Sequence, residues 1–330
     1  MAAGAGVRQH QVDVLDLVAR AREGHARAVA RLISLVEDAS PQLRAVAAAL
    51  APHTSQAQVI GLTGPPGVGK STTTAALISV YRAQGHRVGV LAIDPSSPFS
   101  GGALLGDRIR MQTHATDPGV FIRSMATRGH LGGLSWAAPQ ALRVLDAAGY
   151  DVILIETVGV GQSEVDVVSL ADTTLVLVAP GMGDGIQAAK AGILEIADVF
   201  VVNKADREGA DRTARELKHM ISLGRREVTG PSWRPPVVRT VAERTEGISD
   251  VIDAVGAHRE WMVAHDVLRR RRLHRAHTEV EAIALAALRE RLGTLEKNSA
   301  FSDLAQRVAD GDLDPYAAAD ELVSTLEGSG

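Results

Sequence analysis

Between residues 57 and 242 the chain returns seven times to a short run rich in apolar and β-branched residues: "QVIGLTG", "RVGVLAID", "VFIRSM", "YDVILIET", "TTLVLVAP", "VFVVNKAD" and "PVVRTVA". Helix-like segments separate these runs. Strands that alternate with helical patterns pair in parallel and are covered on both sides, so the pattern predicts an α/β fold with a mostly parallel sheet and helices on both faces. On either side the period changes to a helical one. Val14, Leu15, Leu17 and Val18, then Val29, Leu32, Ile33, Leu35 and Val36, predict two or three helices, with Gly24 as a break. Beyond about residue 243 the chain is rich in Ala, Leu, Glu and Arg and predicts helices to its end. A length of 330 residues suits one α/β domain of about 200 residues with helical additions. These flanks are expected to pack on the sheet domain or on a second subunit.

The first strand runs into "GLTGPPGVGKSTTTAAL", in which Gly64-x-x-x-x-Gly69-Lys70-Ser71 stands between a strand and a helix-forming run. That is the context a phosphate-binding loop requires. Glycines let backbone N–H groups turn inward around phosphates, and the helix N-terminus adds its positive end. The cradle is expected from Gly64, Pro65, Pro66, Gly67, Val68 and Gly69 with Lys70, Ser71 and Thr72. Lys70 would bridge the β- and γ-phosphates, and Ser71 would offer its hydroxyl to Mg²⁺. The expected fold is therefore that of a P-loop NTPase, with residues 1–56 an N-terminal helical extension, 57–245 the NTPase domain and 246–330 a C-terminal helical extension.

"VVNKAD" places Asn203, Lys204 and Asp206 directly after another buried strand. A carboxylate there accepts from both N1–H and the 2-amino group of guanine, while the Lys stem lies against the base. Adenine has no such pair of donors and would leave the acid unpaired, so GTP and GDP are the expected nucleotides. Val241 and Ala242 follow the last strand, where a backbone N–H meets guanine O6.

Three acids are candidates for the metal end of the site. Asp94 closes "RVGVLAID", at a strand tip suited to holding Mg²⁺ through water or orienting the attacking water, with a helix cap as the alternative. Asp107 lies in a Ser/Gly-rich loop able to close over the γ-phosphate, or is a solvated loop acid. Glu156 interrupts an apolar strand at the start of "IETVGVGQSEVD", where many NTPases carry a metal-linked acid. Gly159, three residues on, can donate a backbone N–H to the γ-phosphate. Gln162 belongs to the same switch, with no role assigned in positioning water. "PGMGDGIQAAKAGILEIAD", with Asp184, Gln187 and Lys190, reads equally as a mobile loop beside the nucleotide or as a turn before a helix.

Composition narrows the remaining classes. The chain has no cysteine, which excludes disulfides, thiolate metal sites and a cysteine nucleophile. A formal net charge of −4 gives no general reason to expect nucleic acid or an acidic membrane as the main partner. No apolar run approaches a membrane span, and the N-terminus lacks an apolar signal core, so a cytoplasmic protein is expected. The basic run "VLRRRRLHRAH" reads as a solvated face or partner contact, and His274 and His277 as surface histidines.

Six stretches, "GPPGVGKST", "AIDPSSPFSGGALLGDRIRM", "FIRSMATRGHLGGLS", "IETVGVGQSEVDV", "APGMGDGIQAAKAGI" and "VVNKAD", together resemble the MeaB/MMAA family, GTPases associated with methylmalonyl-CoA mutase. Relatives in this family also carry the name lysine/arginine/ornithine transport-system kinase. The resemblance implies a SIMIBI-class sheet, a homodimer formed through the helical extensions, slow GTP hydrolysis, and a chaperone role for an adenosylcobalamin-dependent mutase. In that role GTP gates delivery of intact cofactor and helps remove damaged cofactor, and adenosylcobalamin is met only through the partner enzyme. It matches Asp94, Asp107 and Glu156 to the family's magnesium-site acids, which with Ser71 make the expected metal set and with Lys70 the expected catalytic set. The segment from Asp184 through Gln187 to Lys190 matches a switch that relays nucleotide state to the mutase. Two alternatives differ in what they require. A metallochaperone GTPase would want a Cys/His cluster, and a protein kinase of an amino-acid transport system would pass the γ-phosphate to a side chain.

Overall fold

The computed structural model describes residues 13–54, 56–95, 114, 116–127, 137–157, 169–181, 196–223, 232–296 and 299–327. Seven strands form one sheet: β1 (Gln58–Thr63), β2 (Val88–Pro95), β3 (Val120–Thr127), β4 (Val152–Thr157), β5 (Thr173–Val178), β6 (Val199–Val202) and β7 (Val237–Arg239). Each of the seven apolar runs supplies one strand. Every neighbouring pair is parallel, in the order β3-β2-β4-β1-β5-β6-β7. The chain leaves β1 toward β2 on one side and later crosses from β4 to β5 on the other. The C-terminal ends of β1 and β4 therefore flank a topological switch point, where open α/β sheets bind ligands.

Helices cover both faces. On one side α1 (Val14–Arg22), α2 (Ala26–Glu37), α3 (Leu43–Leu50) and α5 (Ala137–Ala147) pack on Val59, Leu91, Ile93, Ile153 and Ile155. Farther along that face α6 (Ala210–Leu223) covers Val176, Val178, Phe200 and Val202. On the other side α4 (Lys70–Ala83) and α7 (Ile248–Ala264) pack on Ile60, Leu62, Val152, Leu154, Leu175 and Leu177. The N-terminal helices thus complete one layer of the core. Asp13 caps α1 by accepting from the Leu15 and Asp16 N–H groups at 3.0 and 3.1 Å. Truncating an enclosed core residue such as Leu32 or Leu77 to Ala would cost about 2–5 kcal/mol.

The strand period of two decides where the acid in β4 goes. Val152 and Leu154 face the α4 layer while Ile153 and Ile155 face the opposite layer. Glu156 shares the parity of Val152 and Leu154, so it is delivered to α4.

Three helices follow α7 in the chain: the long α8 (Val267–Glu296) and the shorter α9 (Ser299–Ala309) and α10 (Pro315–Glu327). The chain divides into two compact units, Met1–Arg272 and Leu273–Gly330. The end of the first is fastened at the N-terminal edge of the sheet. Asp172 precedes β5 and Asp198 precedes β6, and both are buried. Arg271 grips Asp198 with both terminal nitrogens at 2.9 Å, and Arg272 reaches Asp172 at 2.7 Å and the Ala57 carbonyl at 2.9 Å. Two arginines of the basic run therefore turn inward rather than forming a solvated face, because each finds a carboxylate that the sheet edge would otherwise bury without a cation. Arg269 and Arg270 are exposed. In the second unit α9 and α10 are joined by an Arg307–Glu321 ion pair at 2.9 Å, and Leu273, Val280, Ile283, Leu285 and Leu288 of α8 stay exposed.

Candidate functional site

The loop between β1 and α4 carries two glycines whose backbone only glycine tolerates. Gly64 has φ +140°, and a Cβ there would lie 2.3 Å from the Leu177 carbonyl oxygen. Gly69 has φ +97°, and a Cβ would meet the Asn203 amide nitrogen at 2.4 Å. The loop can close this tightly over β5 and β6 only without side chains at these points. Val68 is buried, Pro66 and Gly67 are exposed, and Gly64, Pro65, Gly69, Lys70, Ser71 and Thr72 lead into the positive N-terminus of α4. The Lys70 ammonium is bent back over the loop, 2.5 Å from the Gly64 carbonyl oxygen and 3.4 Å from that of Pro65. It sits where a phosphate cradled by the loop would meet it.

Beneath the loop lies Glu156, 1% exposed. Its Oε1 accepts from Ser71 Oγ at 2.6 Å and its Oε2 from Thr74 Oγ1 at 2.8 Å. Ser71 donates its single proton to the carboxylate, and a hydroxyl oxygen that donates in this way can still ligate a cation. Hydroxyl and carboxylate oxygens suit a hard divalent ion such as Mg²⁺, which takes one or two protein oxygens and completes its shell with phosphate oxygens and water. Among the described residues no group of three or more His, Asp or Glu could hold a metal by itself. The register pairs Ala92 with Glu156, so the Asp94 backbone stands two residues farther out at the same edge. Asp107, Gly159, Gln162, Asp184, Gln187 and Lys190 lie outside the described residues, as does the Asp94 side chain.

The base side is organised by Asn203, which is buried. Its Nδ2 donates to the Val68 carbonyl at 2.8 Å, while its Oδ1 accepts from Thr240 Oγ1 at 3.2 Å and from the Ala242 N–H at 3.1 Å. One amide thus fastens the phosphate loop to the segment after β7. Lys204, in the left-handed region at φ +58°, donates to the Gly67 carbonyl at 2.7 Å and so ties the end of β6 to the phosphate loop. Asp206 is open to solvent and 3.6 Å from Arg244, whose guanidinium also grips Glu246. Val241 closes a tight bridge with Glu246. Thr74, Thr240 and Arg244 had no motif to mark them. Thr74 could have been found from its place one helical turn beyond Ser71, but Thr240 and Arg244 matter only once the loops have met.

The profile of the family described as "Methylmalonyl Co-A mutase-associated GTPase MeaB" matches residues 29–297. A relative in Pyrococcus abyssi named as a GTPase is 49% identical over 96% of this chain and 97% of its own length. A GTPase-named protein of Mycobacterium tuberculosis is 41% identical over 95% of this chain and 96% of its own. The mouse mitochondrial methylmalonic aciduria type A homolog is 42% identical over 64% of this chain and 52% of its own. Among solved structures, one titled as an LAO/AO transport system kinase superposes with a TM-score of 0.66 at 26% identity, over 95% of this chain and 97% of that one. The phosphate loop and these likenesses converge: the chain belongs to the MeaB family of methylmalonyl-CoA mutase-associated GTPases and is a P-loop GTPase.

Proposed function

We propose that the chain is a Mg²⁺-dependent GTPase that serves as a chaperone of an adenosylcobalamin-dependent methylmalonyl-CoA mutase, gating cofactor loading and protecting or reactivating the mutase. The observation that carries the metal-dependent part is the buried Ser71–Glu156 contact, 2.6 Å long, at the foot of the phosphate loop. The family's description and the mouse relative's name support the choice of client. When bound, Mg²⁺ would neutralise charge on the β- and γ-phosphate oxygens. The chain's own part is to hold that charge in place. Lys70 meets the phosphates, Ser71 offers a hydroxyl oxygen, Glu156 orients that hydroxyl, and Asp206 selects guanine.

In this reading Asp94, Asp107 and Glu156 act with Lys70 in hydrolysis. Gly159 and Gln162 form one switch, and the segment from Asp184 through Gln187 to Lys190 forms another that loss of the γ-phosphate releases. The NTPase domain is residues 57–245, flanked by helical extensions 1–56 and 246–330, in a cytoplasmic homodimer. The apolar residues left exposed on α8 support a second copy as their cover. Among the described residues no helix is long and apolar enough to cross a membrane.

The gating role is tested by following transfer of adenosylcobalamin to the mutase's apo form in the presence of this protein with GTP, a non-hydrolysable GTP analogue or GDP. Loading that depends on which nucleotide is bound supports gating. Loading indifferent to nucleotide, or transfer of the γ-phosphate to a protein side chain as a transport-system kinase would do, overturns it.

A further inference from the structure

We infer that Thr74, which lies outside the phosphate-loop motif, is a positioning residue for the metal-linked carboxylate of Glu156. The inference rests on reading Ser71 and Glu156 as the Mg²⁺ end of the site. Ser71 and Thr74 stand three residues apart on α4, so their hydroxyls project from one face toward β4. The two oxygens of Glu156 are divided between them, at 2.6 and 2.8 Å. A carboxylate turns freely about its last torsion, and one hydrogen bond fixes a single oxygen without fixing the plane. The Thr74 bond fixes the plane, and with it the direction in which the oxygen beside Ser71 presents its lone pairs.

Two features argue against a bond that is incidental to packing. Thr74 is fully buried, and its own helix offers a competing acceptor, the Lys70 carbonyl oxygen at 3.1 Å. A hydroxyl has one proton to give, and the shorter contact to an ionised acceptor is the stronger. The neighbouring Thr73 supplies an internal contrast. It is equally buried, yet among the described residues its hydroxyl has no hydrogen-bond partner. Thr73 serves α4 as a packing residue, and Thr74 serves Glu156.

The experiment measures how Mg²⁺ slows release of a fluorescent GDP analogue from the full-length protein. The variants are Thr74→Val, Thr74→Ser and Thr73→Val, and their melting temperatures are read in parallel. Loss of one charge-assisted hydrogen bond is expected to raise the half-saturating Mg²⁺ of Thr74→Val about tenfold. GDP affinity in excess chelator should stay at the wild-type value, because without metal the bond has nothing to orient. Thr74→Ser should restore the wild-type Mg²⁺ dependence, and Thr73→Val should never lose it. A Thr74→Val protein with the wild-type half-saturating Mg²⁺ overturns the inference while leaving the metal site standing, as does an equal shift in Thr73→Val, which would assign the effect to packing. Release that Mg²⁺ fails to slow in the wild-type protein overturns the metal reading and this inference together.

Discussion

Asp206 and Asn203 sit two positions apart and do opposite kinds of work. Asn203 is buried and spends its amide on protein partners, the Val68 carbonyl, Thr240 and the Ala242 N–H. It assembles the pocket. Asp206 faces solvent, with Arg244 3.6 Å from its carboxylate, and in the proposed reading its oxygens accept from the base. Asp206→Asn should therefore weaken GTP binding about 10- to 100-fold, the cost of one or two hydrogen bonds to a charged acceptor, and bring XTP to comparable affinity. Competition binding with GTP, XTP and ATP checks this, and an unchanged preference for GTP would place base recognition elsewhere. Motif spacing alone made both residues visible. It did not separate the buried Asn203 from the exposed Asp206, because that distinction depends on which loops Asn203 reaches across the fold.

Among elements, the N-terminal edge of β5 and β6 shows what a sequence pattern hides. The run of four arginines at 269–272 looks uniform, yet Arg271 and Arg272 bond acids 73 and 100 residues earlier. No local period reports pairings at that distance. His258 of α7 is enclosed in the same cluster. Its Nδ1 lies 2.9 Å from Thr173 Oγ1, the Trp233 ring packs against it tilted at 4.9 Å between centroids, and its Nε2 lies 3.2 Å from Asp198 but off the line of a hydrogen bond. Burial lowers its pKa to about 4, against the pull of Asp198 and with a further push from Arg271.

The consequence for stability has a definite sign. The unfolded chain takes up the His258 proton near pH 6.5 and the folded chain only near 4. The contribution is complete above pH 6.5 and is lost as the pH falls toward 4, and it amounts to about 3 kcal/mol in all. Urea midpoints measured from pH 7.5 to 4 should fall across that window for wild type and fall less for His258→Gln. Parallel curves for the two proteins would show that His258 carries none of the dependence.

For the molecule as a whole, the strand runs carried most of the legible content. All seven became strands, and their uniform apolarity announced a parallel sheet buried on both faces because few other architectures can hide such strands. The strand order was not legible, since it depends on the crossover from β4 to β5, and neither was the division at Arg272, which depends on where long-range packing ends. The phosphate loop and the acid at the end of β4 were both readable. Their meeting at 2.6 Å, across 85 residues, follows from the parity of β4 and the start of α4 once the sheet is assembled.

We propose that this assembly serves a client mutase through its GTP cycle. The most direct measurement is steady-state GTP turnover by the purified protein, alone and with methylmalonyl-CoA mutase from the same source, with ATP and Lys70→Ala as controls. Stimulation by the mutase is expected, confined to GTP and abolished in Lys70→Ala. Turnover unchanged by the mutase, with no complex between the two proteins, would contradict it.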